Sequence, residues 1–201
     1  MKKGTIIALS VVGVFVFGIV VLFMMWRGYY NEFVTLNQQV NSKWSTVESQ
    51  YQRRYDLIPN LVATVKGVAN FEKDTYTAVA EARAQVGQIK LTPDQLSDPQ
   101  AVQKFQAAQN GLGTALSRLL VVSENYPQLK ASENFKDLQT QLEGTENRIN
   151  VSRIDYNKSV ETYNTAIMKF PGNIIAGMSN FKEKQYFKMD EAAKTAPKVQ
   201  F

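Results

Sequence analysis

Residues 33–58 read FVTLNQQVNSKWSTVESQYQRRYDLI, and the apolar positions in this stretch decide the fold class. Most of them recur at intervals of three or four residues, which is the spacing of an α-helix packed along one seam. Three later segments repeat this spacing as far as Phe170, and no segment alternates with a period of two over a useful length. The sequence therefore predicts an all-α protein. The first seam consists of Phe33, Leu36, Val40, Trp44, Val47, Tyr51 and Ile58.

Proline and glycine divide the chain after residue 28 into four predicted helices. Pro59 is expected to mark a turn or a sharp kink, because its ring removes a backbone N–H from the helix. Further breaks are predicted in the polar linker 87–98 and at residues 125–127 and 170–173. The helices would then be about 27–37 residues long, and such similar lengths favour an antiparallel up-down four-helix bundle.

The N-terminal side of the chain carries an apolar segment. From Thr5 to Trp26 there are 22 consecutive residues without a charge, and about 20 helical residues cross a hydrocarbon core of ~30 Å. A cleaved signal peptide is the competing interpretation, but its apolar region would be shorter and would end in small residues. Here the segment ends in bulky residues, so we expect an uncleaved transmembrane anchor.

Three units follow from this reading. They are a membrane anchor at residues 1–27, a helical bundle at residues 28–170, and a basic, aromatic tail at residues 171–201. An even number of antiparallel helices returns the chain to the membrane, so we expect the tail at the membrane-proximal end of the bundle. Residues 174–187 would there either cap the end of the bundle core or contact lipid directly. Lys2 and Lys3 precede the apolar segment, and the positive-inside rule therefore favours a bundle on the outer side of the membrane.

The distribution of charge argues against nucleic-acid binding. The formal net charge is +5, but positions 28–168 hold 14 basic and 15 acidic residues. A nucleic-acid-binding module would concentrate positive charge on one face of its body. We therefore expect no nucleic-acid partner.

No catalytic, cofactor or metal site is predicted. The chain contains no His and no Cys, which excludes His-based triads, thiol nucleophiles and the common zinc sites. No glycine-rich phosphate-binding motif is present. We therefore expect a protein that is not an enzyme and that needs no cofactor.

Two polar clusters and two groups of interfacial residues remain as candidate functional sites. The clusters would form a structural ion-pair network or a surface for docking a partner, and the interfacial residues would meet the membrane with aromatic rings and lysines. The cluster residues are Arg53, Arg54, Asp56, Asn60, Glu146, Asn147 and Arg148. The membrane-interface residues are Trp26, Arg27, Tyr29, Tyr30, Lys182, Lys184, Tyr186, Phe187 and Lys188.

Several motifs resemble those of the LemA family. They are WSTV at residues 44–47, RRYDLIPNLV at 53–62, TENRI at 145–149, and FPGN at 170–173. The resemblance runs from about residue 28 to the C-terminus and implies an N-terminal span followed by an antiparallel helical bundle. It also implies a bacterial envelope setting, sometimes near membrane proteases, but no settled biochemical activity.

Three functional hypotheses remain open. The leading one is a non-enzymatic, membrane-anchored scaffold or adaptor of the bacterial cytoplasmic membrane, which engages another envelope protein or itself and is associated with membrane protein quality control. The alternative is a membrane-surface protein that senses or remodels lipid through its basic, aromatic tail. An enzyme that uses Asp, Glu, Lys or Tyr is the third hypothesis, although no converging set of such residues is visible.

Overall fold

The computed structural model describes residues 3–68 and 71–188, with side chains from Leu9 onward. Lys2 and the tail beyond residue 188 lie outside the described residues, so the predictions that involve them are untested. The described part of the chain is helical and contains no strand. Its elements are α1 (Lys3–Lys66), α2 (Lys73–Gly87), a 3-10 turn (Pro93–Ser97), α3 (Pro99–Ser123), α4 (Pro127–Ala131), α5 (Glu133–Met168) and α6 (Gly172–Met178).

Helix α1 joins the predicted anchor to the rest of the protein without a break. Its 64 residues correspond to a length of roughly 96 Å. From Leu9 onward it is the only described helix long and apolar enough to cross a membrane, with a mean hydropathy of 2.6 over its best window and none of that window buried. The predicted boundary between residues 27 and 28 therefore falls inside one helix.

The predicted turn at Pro59 is wrong, because α1 continues through this residue to Lys66. Proline normally interrupts a helix by leaving the carbonyl four residues earlier without its N–H partner. That carbonyl belongs to Tyr55, and it accepts a hydrogen bond of 3.1 Å from Nε of Arg83 in α2. The Arg83 guanidinium also lies 3.7 Å from the centre of the Tyr55 ring. A neighbouring helix thus supplies the donor that Pro59 lacks.

The helix lengths also differ from the expected range. Helix α2 has 15 residues, α3 has 25 and α5 has 36, so the predicted similar lengths are wrong. The cause is the position of the first turn, which follows Lys66 and leaves residues 61–66 in α1.

Helix α5 runs antiparallel to α1. Arg54 of α1 meets Glu146 near the middle of α5, whereas Lys43, further back along α1, meets Asp155, further along α5. Helix α2 packs against both α1 and α3. We call residues 28–188 the helical body.

The core of the helical body follows the predicted seams in two clusters. One cluster surrounds Trp44 and Tyr156 in the half nearer the apolar segment, and the other surrounds Ile58 and Leu119 in the far half. Nearly every predicted seam residue is buried or partly buried. Phe170 is the exception, with 81 % of its surface exposed.

The contact between Arg83 and the Tyr55 carbonyl leads to a first prediction. Arg83→Met should lower the free energy of unfolding by about 1–2 kcal/mol, because the carbonyl loses a charge-assisted hydrogen bond. In a Pro59→Ala background the same substitution should cost less, since alanine restores the N–H that Tyr55 needs. A double-mutant cycle on the full chain in detergent, followed by circular dichroism during chemical unfolding, measures this coupling. Equal costs in both backgrounds would contradict the explanation.

Candidate functional site

One buried arginine ties three helices together in the middle of the helical body. Arg54 of α1 is only 4 % exposed. Its Nη1 donates to Oε2 of Glu146 in α5 at 2.9 Å. Its Nη2 donates to the backbone oxygen and to Oε1 of Gln109 in α3, at 3.2 and 2.5 Å. The guanidinium also lies 5.2 Å from the centre of the Tyr51 ring.

The structure brings only two of the seven predicted cluster residues together. Arg54 and Glu146 form the ion pair, whereas the other five side chains are exposed on the helix surfaces. Asp56 accepts a hydrogen bond from Gln52 on its own helix, at 2.8 Å. The exposed members of the predicted cluster are Arg53, Asp56, Asn60, Asn147 and Arg148.

Sequence reasoning missed Gln109, although the chain carries a signal for it. Phe105, Gln109 and Leu112 follow the seam spacing of α3, so a polar residue stands where a core residue is expected. Arg54 likewise lies at a seam position of α1, three residues after Tyr51 and four before Ile58. A buried polar side chain needs a partner. Two polar residues at seam positions of different helices are therefore expected to form a hydrogen bond with each other.

A polar groove opens between α3 and α5 beside this arginine. It has a volume of about 540 Å³, and Arg54 and Tyr51 of α1 contribute to its lining. Glu146 also lines the groove, and its side chain is 50 % exposed. The other lining residues are Gln109, Asn110, Gly113, Thr114 and Ser117 of α3 and Asn150 and Arg153 of α5.

A second polar feature holds the C-terminal part of the described chain. The side-chain amide of Asn157 bonds both backbone groups of Phe187 at 2.9 Å, and Asn164 bonds both backbone groups of Lys184 in the same way. The hydroxyl of Tyr156 donates to the backbone oxygen of Gln185 at 3.1 Å. The hydroxyl of Tyr163 donates to the backbone oxygen of Lys182, also at 3.1 Å. We call these four α5 side chains the Tyr-Asn clamp.

The spacing of the Tyr-Asn clamp matches an extended chain. Its two Tyr-Asn pairs lie seven residues apart on α5, a rise of about 10.5 Å. The two tyrosines bind Gln185 and Lys182, which lie three positions apart in the segment, and the two asparagines bind Phe187 and Lys184, which are also three apart. Three extended residues span about 10 Å. The match explains how a helix binds a segment that lies outside any helix or strand.

The predicted membrane-interface residues fall into two groups. Trp26, Arg27 and Tyr30 are exposed, and Tyr29 is partly buried, just beyond the apolar part of α1. Phe187 is 4 % exposed and packs against Trp44 and Tyr156 in the core.

Lys184 is also buried, and its Nζ donates to the backbone oxygen of Pro93 at 3.2 Å. Phe187 and Lys184 therefore cannot contact lipid here, and that prediction is wrong for both. Lys182, Tyr186 and Lys188 remain exposed. Phe181, Lys184 and Phe187, which the prediction assigns to the tail after residue 170, pack against α1 or α5.

Burial shifts the proton affinity of three groups in and beside the Tyr-Asn clamp. It raises the pKa of the Tyr163 hydroxyl to about 12, and it raises the pKa of the Tyr156 hydroxyl as well. It lowers the pKa of the Lys184 ammonium, an effect that the nearby Asp94 carboxylate opposes. Relative to the unfolded chain, folding thus shifts the protonation equilibrium of all three side chains towards the neutral form.

The second prediction concerns Arg54. Arg54→Ala should lower the free energy of unfolding by roughly 1–3 kcal/mol, because Gln109 loses its buried partner, whereas Glu146 can regain water. Arg54→Lys should restore only part of this loss, because an ammonium cannot reproduce the fork of a guanidinium. Arg53→Ala is the matched control on the adjacent exposed residue. Chemical unfolding of the full chain in detergent is the measurement, and equal stability of the two alanine variants would contradict a structural role.

The third prediction concerns pH. The folded pKa of Tyr163 lies above its ordinary value of 10.0, so its stabilising effect is complete below pH 10 and is lost as the pH rises towards 12. Tyr163→Phe should therefore lose less stability than the natural chain between pH 9 and 12. The contribution of Lys184 to stability rises with pH in both proteins, because its pKa is lower in the folded state. Parallel unfolding midpoints across this range would contradict the assignment.

Comparisons with known proteins agree with this architecture. The model of the LemA family matches residues 43–201. Magnetosome protein MamQ 2 of Paramagnetospirillum magneticum is 31 % identical, over 97 % of this chain and 77 % of that protein. Magnetosome protein MamQ of Magnetospirillum gryphiswaldense is also 31 % identical, over 83 % of this chain and 67 % of that protein.

Protein LemA of Metamycoplasma hominis is 22 % identical, over 81 % of this chain and 70 % of that protein. The family match covers most of the chain, including the Arg54 site and the Tyr-Asn clamp. These similarities and the long apolar helix are those of a membrane-associated helical protein. The chain belongs to the LemA family.

Proposed function

We propose that this protein is a non-enzymatic, membrane-anchored scaffold or adaptor, which presents the groove between α3 and α5 at a set height above the bilayer. The observation that carries the proposal is the continuity of α1, which extends from the apolar segment into the core without a break. A flexible linker would leave the position of the helical body undefined, whereas a helix packed into the core defines it.

The height of the groove follows from the geometry of α1. Arg54 lies 28 residues beyond Trp26, so it would be roughly 42 Å from the edge of the hydrocarbon when α1 stands upright. We propose that α1, α2, α3 and α5 together form an up-down four-helix bundle. The antiparallel pairing of α1 with α5 supports this arrangement.

The groove suits a polar protein segment. Its walls carry hydroxyl and amide side chains together with Glu146 and Arg153, and Glu146 keeps half of its side chain exposed for a further partner. Such a surface forms hydrogen bonds and rim ion pairs, which favour specificity over large apolar burial. The occupant would be a segment of another envelope protein or of a second copy, and a partner from membrane protein quality control would fit this role.

The proposed role includes no catalysis. The sequence has neither His nor Cys, and the described ranges contain no group of three or more Asp or Glu residues arranged to hold a metal ion. The two terminal nitrogens of the buried Arg54 guanidinium bind Glu146 and Gln109. We place the protein in the bacterial cytoplasmic membrane because its relatives are bacterial and α1 is long and apolar enough to span a bilayer. The positive-inside rule favours a helical body on the outer side.

Site-specific photo-crosslinking in the native membrane tests the proposal. A photoreactive amino acid at Ser117 or at Asn150 lies in the groove, and one at the exposed residue Glu81 of α2 is the control. We expect a discrete crosslinked product from the groove positions and none from Glu81. Equal crosslinking at all three positions, or no product from the groove, would contradict a docking role.

An insertion series then tests the set height. Seven helix-forming residues inserted after Arg27 add two turns, about 10.5 Å, and nearly preserve the orientation of α1. For a partner held at one level by the membrane, the crosslink should move seven residues back along α3, from Ser117 to Asn110. Seven Gly and Ser residues at the same place should instead weaken and spread the crosslinks. Unchanged crosslinks in both variants would show that the height is not used.

A further inference from the structure

An exposed apolar surface lies at the end of the helical body that faces the apolar segment of α1. It consists of Met168, Phe170, Ile174 and Met178, which are 54, 81, 55 and 77 % exposed. Ile174 and Met178 lie four residues apart on α6 and therefore share one of its faces. The opposite face of α6 is buried through Ile175 and Ala176. We call the four exposed residues the apolar foot.

A chain of aromatic contacts fixes the position of the apolar foot relative to the predicted span. Trp26 stacks on Tyr30, with the ring centres 5.3 Å apart. The Phe181 ring contacts both Tyr30 and Phe33, at 5.6 and 5.5 Å. Gly172, the first residue of α6, packs so closely on Phe33 that an added Cβ would lie 3.0 Å from the ring. Helix α6 is thus attached to α1 just beyond the end of the apolar segment.

The distance along α1 places the attachment point of α6 a few ångströms outside the lipid headgroups, within the length of a Phe or Met side chain. Phe33 lies seven residues beyond Trp26, a rise of about 10.5 Å, and the headgroup region adds ~5–8 Å on each side of the hydrocarbon. Phe170 precedes α6 at the end of the helical body towards which α5 descends, and it is the most exposed apolar side chain there.

We infer that the apolar foot is a second membrane contact, which inserts into the headgroup and acyl boundary of the leaflet from which α1 emerges. A short amphipathic element of this kind lies in the interface plane and buries its apolar side chains in lipid. Lys169 and Lys182 flank the apolar foot, with Glu183 as the neighbouring acidic residue. A bilayer surface can receive apolar and cationic groups together, and it is the surface that α1 already brings within reach.

The contact would limit the orientation of the helical body. A single span leaves rotation about its own axis free, whereas two points of attachment hold one side of the body against the bilayer. This inference does not depend on the scaffold function, because lipid alone is sufficient to test it.

Spin labels on the full chain in lipid vesicles provide the test. The chain has no native Cys, so Phe170→Cys and Met178→Cys each offer one labelling site. Val121→Cys is the matched control, since Val121 is an apolar residue of α3 with 69 % exposure, far along the body from the apolar foot. Vesicles of phosphatidylcholine with phosphatidylglycerol provide the bilayer, and oxygen and a polar nickel complex serve as the two relaxing reagents.

We expect labels at residues 170 and 178 to be relaxed more strongly by oxygen than by the nickel complex, and the label at residue 121 to show the reverse. Labels at 170 and 178 that match residue 121 would overturn the inference. Protection from both reagents would also overturn it, because it indicates burial against a second copy of the chain.

A second variant separates the apolar foot from the insertion tendency of the label itself. The label is placed at the exposed polar residue Asn173, with the apolar foot either intact or altered by Ile174→Ser and Met178→Ser. Its oxygen preference should be lost in the altered protein, whose helical circular dichroism reports the fold. An unchanged depth would show that these side chains do not hold α6 at the membrane and would overturn the inference.

Discussion

The hydrogen bond from Arg83 to the carbonyl of Tyr55 compensates for the backbone donor that Pro59 removes from α1 within the helical body. Without a donor, that carbonyl would be left unpaired by Pro59, and a break there would separate the last turns of α1 from the segment that leads to the membrane. With the donor in place, α1 carries both core clusters on a single axis. The other helices then need only to pack against this axis, and Arg54 links α3 and α5 to its centre.

The all-α class and most of the core could be predicted from the spacing of apolar residues, because a helix buried along one seam imposes that spacing. Trp44, Leu112 and Ile149 lie in the core for this reason. The course of the chain at Pro59 could not be predicted in the same way. Its compensation comes from Arg83, 24 residues later in the sequence, and local rules for proline do not include tertiary donors.

The candidate site was harder to predict than the fold. The polar clusters in the sequence include Arg54 and Glu146. They also include exposed residues such as Arg53, which is the same residue type as Arg54 and differs from it only in its position on the helix. Lys184 and Phe187 were misassigned because lysine and aromatic residues are typical both of a membrane interface and of an extended segment clamped by a helix. The signal for the clamped segment is a match of lengths: seven helical residues separate the two Tyr-Asn pairs, and three extended residues separate the groups that they bind.

Because α1 is continuous, any tilt of its apolar segment in the bilayer also tilts the helical body. The part of α1 beyond residue 27 is roughly 58 Å long, so a change of 10° in its inclination displaces its far end by about 10 Å. Spans tilt in response to the thickness of the surrounding hydrocarbon. A difference of a few ångströms in membrane thickness would therefore be amplified into a much larger movement at the far end of the protein.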